Sequence, residues 1–570
     1  MTGAKVVARA SLKRHYIVQG VSADQARGAV LEVGGTVNGL LPIIHAVGAS
    51  LTDAQAAALK LNQSGTSTLH VFADWSVTAS SFVDLPQTYY PGEVAASVLQ
   101  AGGVTGQGVT VAVLDSGLWS QQGPLQTTPR ETPRVLAQYD VIRARQDPSY
   151  AAAAASDGYS DGIDDLYGHG THISSIIASA GVATDGRYQG VAPGVNLVEV
   201  RVLDGNGQGS YFDVINGIQW VIAHRQQYHI RVLNLSLGAP PQSPYWQDPL
   251  DQAAMAAWAN GIVVVAAAGN RGPGPMTIDV PGNCPYVITV GAVTDNYHPD
   301  QPAQYSLASF SSTGPTHEGF VKPEVVGMGG HILAYAPNNG TLAKEFPQWV
   351  GADDDFTMSG TSQATATVSG VVALMLQVSP SLTPDQVKCR LLAGAHPAVN
   401  SDGTLAYTVF QQGAGLVDAH DAIYGTATGC ANRGLNVLLD LSGMQHFGGR
   451  GNQERSGNFY IMATQSQNTS TRSSGGGLLG GLLGLVGGLV NTLGKLLFGV
   501  PLLGDGLLWN GSYAAGNGYT WSDGYTWSDG YTWSDGYTWS DGYTWSDGTT
   551  WSQGYTWSDS YTGINVPPQQ

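Results

Sequence analysis

Val111-Ala112-Val113-Leu114-Asp115-Ser116-Gly117 reads as a strand that ends on a carboxylate and a turn. A strand with one wet face alternates apolar and polar residues, whereas Val109 to Leu114 is nearly continuously apolar. That pattern belongs to a parallel strand covered on both faces. Working outward, the same signal recurs at Val195 to Val202, Ile230 to Leu237, Ile262 to Ala268 and Val287 to Val293. Helical periodicity separates these runs, over 169–180, 211–225 and 248–260. A last core helix takes Thr383 as N-cap and Pro384 at its first position, and runs to about Leu392. Strands alternating with helices predict an α/β domain with a doubly wound, mostly parallel sheet. Reactive groups then belong at the carboxyl ends of the strands.

The residues before this domain read differently. His15-Tyr16-Ile17-Val18, Ile43 to Val47 and Leu69 to Val77 are strand candidates. Ser22-x-x-Gln25 and Thr52-x-x-Gln55 are capping boxes that open two helices, the first reaching about Val33 and the second covering Ala56 to Leu61. The order predicts a small α+β domain on the ferredoxin-like, split βαβ plan over 1–84. Residues 78–105 form a looser joint, and the α/β domain occupies 85–427.

The chain has 570 residues and a net charge of 24 − 42 = −18, which excludes nucleic acid as an expected partner. Charged residues make up only 12%, against about 25% in ordinary soluble domains. Cys284, Cys389 and Cys430 show no metal-ligand spacing. Three unpaired thiols are expected, with a Cys389–Cys430 bridge as the alternative. Lys5, Arg9, Lys13 and Arg14 interrupt every apolar run near the start, so no secretory signal is visible.

Three short motifs carry chemistry. Asp115 closes the first buried strand. His169 opens a helix in Gly168-His169-Gly170-Thr171-His172. Ser362 sits in Met358-Ser359-Gly360-Thr361-Ser362-Gln363-Ala364, ahead of the apolar run Val368 to Val378. Taken singly they read as a turn, a loop histidine and a helix cap. In this order, and in these settings, the chain resembles the subtilisin-like serine proteases over roughly 90–425. The resemblance implies a serine endopeptidase made as a self-processing zymogen, with the N-terminal domain as propeptide. It implies Ser362 as nucleophile, His169 as base and Asp115 as the group that orients the imidazole, with His172 structural.

It also implies Asn270, in Gly269-Asn270 after the strand 262–268, as a donor to the oxyanion. Ser236, Leu237 and Gly238 would bind substrate backbone as an added strand. Asp279, aligned through its following Val280-Pro281-Gly282, would sit at the base of the first specificity pocket and favour Lys or Arg. Gln363 and Ala366 depart from the family's Met and Pro, and residues 322–329 lack its Ala-Pro-Gly, which touches substrate preference more than activity. Gly413-Ala414-Gly415-Leu416-Val417-Asp418-Ala419 resembles the segment that closes the family's domain. No cofactor or catalytic metal is expected. Asp157, Asp161, Asp164 and Asp165 offer carboxylates of the kind calcium takes as a structural ion, with a solvated acidic loop as the alternative.

Residues 428–474 read as a polar linker and 475–508 as a Gly/Leu-rich apolar segment. The stretch Ser473 to Gly494, which spans the junction, carries no charge and is a low-complexity run or a membrane-associating one. From 509 to 570 the hexapeptide Tyr-Thr-Trp-Ser-Asp-Gly repeats, with Trp521, Trp527, Trp533, Trp539, Trp545, Trp551 and Trp557 six residues apart. An even period keeps every Trp on one face of an extended chain. Alternatively, Ser-Asp-Gly turns would divide the tail into short strands, and a low-complexity disordered tail is the third reading. Expected partners are protein or peptide substrates, the chain's own propeptide and, for the tail, a surface or carbohydrate. The expected location is secreted or cell-surface. The rival reading is an adhesion protein whose tail acts and whose protease domain is inactive.

Overall fold

A computed structural model describes residues 13–461 apart from 62–68, 80–81, 84–88, 120, 122, 158–163, 184–185, 300, 352–353 and 454–457, with short strand pieces at 507–508 and between 526 and 545. Thr110–Asp115 is buried at every position and lies between Asn196–Arg201 and Ile230–Leu235, parallel to both. Val263–Ala267, Ile288–Thr294 and Val325–Met328 extend the sheet in parallel on one side, and Val135–Asp140 extends it on the other. Among the described residues this sheet has eight strands, with Ser306–Leu307 antiparallel at its edge. The parallel alignment brings Asp115, Ser236 and Asn270 to one edge, where their strands end. Val135–Asp140 escaped sequence reading because it is only partly apolar, with Gln138 in its middle.

Thr361–Val378 packs against five of these strands and against helix His169–Ala178. Its residues from Thr361 to Leu376 are all buried. Burial all round suits the apolar run Val371 to Leu376 of such a central helix. Each Val or Leu it buries contributes about 1.5–3 kcal/mol.

The N-terminal unit is a four-stranded antiparallel sheet in the order Thr36–Leu41, Ala46–Thr52, Lys13–Gln19, His70–Ala73. Helices Ala23–Glu32 and Asp53–Leu61 join the strands. Ser22 Oγ and Thr52 Oγ1 accept from the backbone N–H groups of Gln25 and Gln55, so both boxes cap their helices. Alternation along the strand then separates two faces. Val18, Val47 and Leu51 pack on Ala26, Val30 and Leu59 of the helices. Ile17, Leu41 and Ala46 join the core of the larger domain.

The strand expected over 69–77 is broken at Asp74 and Trp75. Asp74 Oδ1 accepts from Phe212 N at 2.9 Å, and the Trp75 carbonyl accepts from Tyr211 N at 2.9 Å. The chain therefore leaves its own sheet at the start of helix Tyr211–His224. It continues as Ser76–Ala79, an antiparallel strand between Gln208–Ser210 and Leu237–Gly238.

Two expectations for the C-terminal side are corrected. Residues 428–461 are not a linker: helix Val437–Leu441 and strands Phe447–Gly448, Gly451–Gln453 and Phe459–Ile461 continue the structured chain past 427. The hydroxyls of Tyr245 and Tyr286 donate to the buried Asp440 carboxylate at 2.5 and 3.0 Å. Phe447 is buried in the main core, and Leu435, Val437, Leu441, Phe459 and Ile461 pack against it, apolar residues scattered singly among polar ones. Cys389 and Cys430 form a disulfide, and Cys284 is the free, buried cysteine. Ser473 to Gly494 lies outside the described residues. In the repeats, Thr526–Ser528 pairs with Tyr531–Thr532, and Tyr537–Ser540 with Tyr543–Trp545, each antiparallel across an Asp-Gly dipeptide. Among the described residues, no helix is long and apolar enough to cross a membrane.

Candidate active site

Asp115 is the last residue of its strand, and its Oδ1 accepts from Ser116 N at 2.8 Å. His169 opens its helix directly after Gly168, whose φ of 110° is left-handed and suits glycine. A side chain at Gly170 would meet the Gly117 carbonyl oxygen at 2.3 Å, so glycine there lets the helix start close to the Asp115 turn. His169 Nδ1 consequently lies 2.7 and 2.9 Å from the two Asp115 carboxylate oxygens. His169 Nε2 is buried and has no hydrogen-bond partner among the described residues. Asp115, His169 and Ser362 are each fully buried.

Ser362 is the second residue of its helix, after Gly360. Its Oγ donates to the Ser236 carbonyl at 2.9 Å, and Ser236 Oγ donates to the Ser362 carbonyl at 3.0 Å. Ser369 Oγ donates to Asn234 Oδ1, and Asn234 Nδ2 donates to Ser236 Oγ, both at 2.9 Å. This chain of bonds ties the nucleophile candidate's backbone to the end of strand Ile230–Leu235.

Asn270 follows the strand Val263–Ala267, and its Oδ1 accepts from both Thr361 N and Thr361 Oγ1 at 3.0 Å. The carboxamide oxygen is thereby committed, and the amide N–H groups form its donating end. Neither Thr361 nor Asn234 stands out in the sequence, because their roles depend on strands distant in the chain.

Asp165 is a further residue that motif reading missed as part of this site. Ser116 Oγ donates to its Oδ1 at 2.8 Å and accepts from Gly170 N at 2.8 Å. Tyr167 N and Gly168 N reach the same oxygen at 3.2 and 2.8 Å. Thr171 N and Thr171 Oγ1 donate to Oδ2 at 2.9 and 2.7 Å. Burial pushes this carboxyl up, against the pull of those donors. Both oxygens are taken by protein donors, which removes Asp165 from the expected calcium cluster. Asp161 and the side chain of Asp157 lie outside the described residues. His172 Nε2 lies 3.0 Å from the Phe356 carbonyl, and burial pushes its imidazole down to about 3, in keeping with a structural role.

Leu237–Gly238 pairs with Thr78 and Ala79, so the expected substrate-binding edge carries a strand of the chain itself. Val77 in that strand is fully buried. Beyond it, Phe82–Val83 pairs with Ser359 and Met358. Asp279 is not a free carboxylate, because Arg271 Nε donates to its Oδ1 at 2.8 Å. The Lys or Arg preference expected from Asp279 loses its electrostatic basis, since the countercharge is already present. Gln363 and Ala366 are fully buried in their helix.

The subtilase family model matches residues 106–415. The chain is 36% identical over 327 residues to serine protease AprX of Bacillus subtilis, covering 56% of this chain and 67% of that one. It is 30% identical over 427 residues to subtilisin E of Bacillus subtilis, covering 74% of this chain and 93% of the relative. Fervidolysin from Fervidobacterium pennivorans, a keratinolytic enzyme related to subtilisin, has a similar fold with a TM-score of 0.56 at 22% identity. That match covers 73% of this chain and 62% of the fervidolysin chain. With a matched family model over more than half its length, the chain belongs to the subtilase family of serine peptidases.

Proposed function

We propose that the chain is a self-processing serine endopeptidase working through Ser362, His169 and Asp115. The observation that carries this is the His169 ring, held at Nδ1 by both Asp115 oxygens while its other nitrogen stays buried and unpartnered among the described residues. A histidine held that way is a base awaiting a proton. Ser362 Oγ leaves the Ser236 carbonyl, gives its proton to His169 Nε2 and attacks the scissile carbonyl. Asp115 keeps the proton on Nδ1 and stabilises the imidazolium. The oxyanion takes hydrogen bonds from Asn270 Nδ2 and the Ser362 amide. A side-chain donor of this kind is worth about 2.7–4 kcal/mol in the transition state, a size known from a relative in this family. His169 returns the proton to the leaving amine, and water then cleaves the acyl-enzyme.

Substrate lies as an extended strand along Leu237–Gly238, where Ser76–Ala79 lies in this chain. Strand pairing of 76–79 with Leu237–Gly238, next to the Ser236 carbonyl that Ser362 Oγ reaches, and of 82–83 with Met358 and Ser359 supports self-cleavage at a peptide bond between Ala79 and Phe82. The N-terminal unit then acts as propeptide and first inhibitor. The Cys389–Cys430 bridge supports an oxidising, secreted or cell-surface setting. Wild type and Ser362→Ala are to be incubated with casein while the N-terminal fragment is followed. Wild type should cut casein and release a fragment ending between residues 79 and 82, and Ser362→Ala should do neither. Equal behaviour of the two proteins would end the proposal.

A further inference from the structure

We propose that His396, Asp418 and Asp421 form a binding site for a divalent transition-metal ion of the zinc type, which staples the end of the catalytic domain. The backbone builds the site. His396 N donates to the Leu416 carbonyl at 2.8 Å and Leu416 N donates to the His396 carbonyl at 2.9 Å, an antiparallel bridge. Gly415, with φ of 112°, permits it, since a Cβ there would meet the His396 carbonyl oxygen at 2.2 Å. Two residues beyond Leu416, Asp418 comes diagonally opposite His396 on the same face.

Asp418 also caps helix Ala419–Tyr424. Its Oδ1 accepts from Asp421 N at 2.9 Å, which fixes the rotamer and leaves Oδ2 3.9 Å from His396 Nε2. Asp421 Oδ2 lies 3.1 Å from the same nitrogen. The three ligand atoms all fall within 4.8 Å of one another. Around a tetrahedral ion with ligands at roughly 2.0–2.1 Å, neighbouring ligand atoms stand about 3.3 Å apart. His396, Asp418 and Asp421 therefore need only small side-chain movements to close on an ion.

Chemistry selects the ion. Two carboxylates beside a neutral imidazole leave a local charge that a dication cancels. An imidazole nitrogen in the set favours zinc, cobalt or nickel over calcium, which takes oxygen ligands. His420 Nδ1 lies 3.1 Å from Asp421 Oδ1, the outer oxygen, and so orients the ligating carboxylate. Side-chain exposures of 62% for His396, 29% for Asp418 and 48% for Asp421 leave a coordination position open to water and a path for entry. An ion there ties the segment after helix Pro384–Gly394 to helix Ala419–Tyr424.

The test uses the full chain carrying Ser362→Ala, which prevents self-digestion, with cobalt(II) as the probe. The parent should bind one ion with a tetrahedral visible absorption band. Zinc should displace it and excess calcium should not. His396→Ala should abolish the band while changing the melting temperature of the metal-free protein little, because the His396–Leu416 bridge is made by backbone and the exposed His396–Asp421 contact contributes little. His420→Ala should weaken binding about 10–100-fold. Unchanged cobalt binding in both His396→Ala and Asp421→Asn, or displacement by calcium as readily as by zinc, would overturn the proposal.

Discussion

The Ser362 hydroxyl donates to the Ser236 carbonyl at 2.9 Å, not to His169. On the proposed mechanism this parks the nucleophile, and activation includes rotation of Ser362 Oγ onto His169 Nε2. The same mechanism needs the imidazole tautomer that carries its proton on Nδ1, 2.7 Å from Asp115 Oδ1. Asp115→Asn preserves size but presents an amide donor to Nδ1, which favours the wrong tautomer. We expect kcat to fall by about 10⁴ with KM little changed. Steady-state kinetics on a chromogenic peptide check this, and a loss under tenfold would remove Asp115 from its assigned role.

Asp165 should matter nearly as much, although it touches no reacting atom. It joins the Asp115 turn to the His169 helix through Ser116 and Thr171. In Asp165→Asn, one acceptor becomes a donor that faces at least one buried donor. Each unsatisfied group costs about 1–3 kcal/mol. The melting temperature should drop. The kcat should also fall at least tenfold with unchanged KM, and the acid limb of its pH profile should move. A purely structural role would lower stability and leave that limb in place.

The contrast between Asp115 and Asp165 shows what sequence carries. Asp115, His169, Ser362 and Asn270 each sit where an apolar element begins or ends, so periodicity and short motifs mark them. Asp165 lies in an acidic loop and reads as one more solvated carboxylate or calcium ligand, because its five donors come from other segments and from backbone. Arg271 is similar: its pairing with Asp279 depends on a fold back across a loop, and it cancels a charge that local alignment treated as free. The long core helices and most parallel strands were legible from their apolar runs, whereas helices Val141–Gln146 and Pro148–Asp157 were not. The break at Asp74 was not, because a helix far along the chain creates it.

Phe212 should govern how long the N-terminal unit stays bound after cleavage. Its ring fills a notch that exists because residues 39 and 48 are glycines; a Cβ at Gly48 would lie 2.2 Å from the ring. Truncating a buried Phe costs about 3–5 kcal/mol in a core, and less where water refills the site. Phe212→Ala should therefore release the fragment at least tenfold faster than wild type, and Gly48→Ala should act in the same direction by collision. Recovery of activity after processing, followed against fragment dissociation, reads both. Slower release in either variant would contradict the packing argument.

Stability should depend on Glu318 in a defined pH window. The residue is 1% exposed, and burial pushes its carboxyl up from 4.5 to about 7, against the pull of Tyr245 N, which donates to Oε1 at 2.8 Å. Between those values the folded chain holds a proton that the unfolded chain has released. The contribution is therefore complete below about pH 4.5 and is lost as pH rises through about 7, by up to ~3 kcal/mol. Asp213 and Asp248, also pushed up by burial, act in the same sense, and buried His172, pushed down to about 3, acts in the opposite sense over part of this range, so the absolute slope mixes several groups. Lys322, pushed down to about 8, acts only above the window. The informative quantity is a difference: thermal midpoints of Ser362→Ala and of Ser362→Ala with Glu318→Gln, measured from pH 4.5 to 7.5. The substituted carboxamide stays neutral and can still accept from Tyr245 N, so the double variant should lose less stability with rising pH. Parallel curves would mean that Glu318 keeps the same proton in both states.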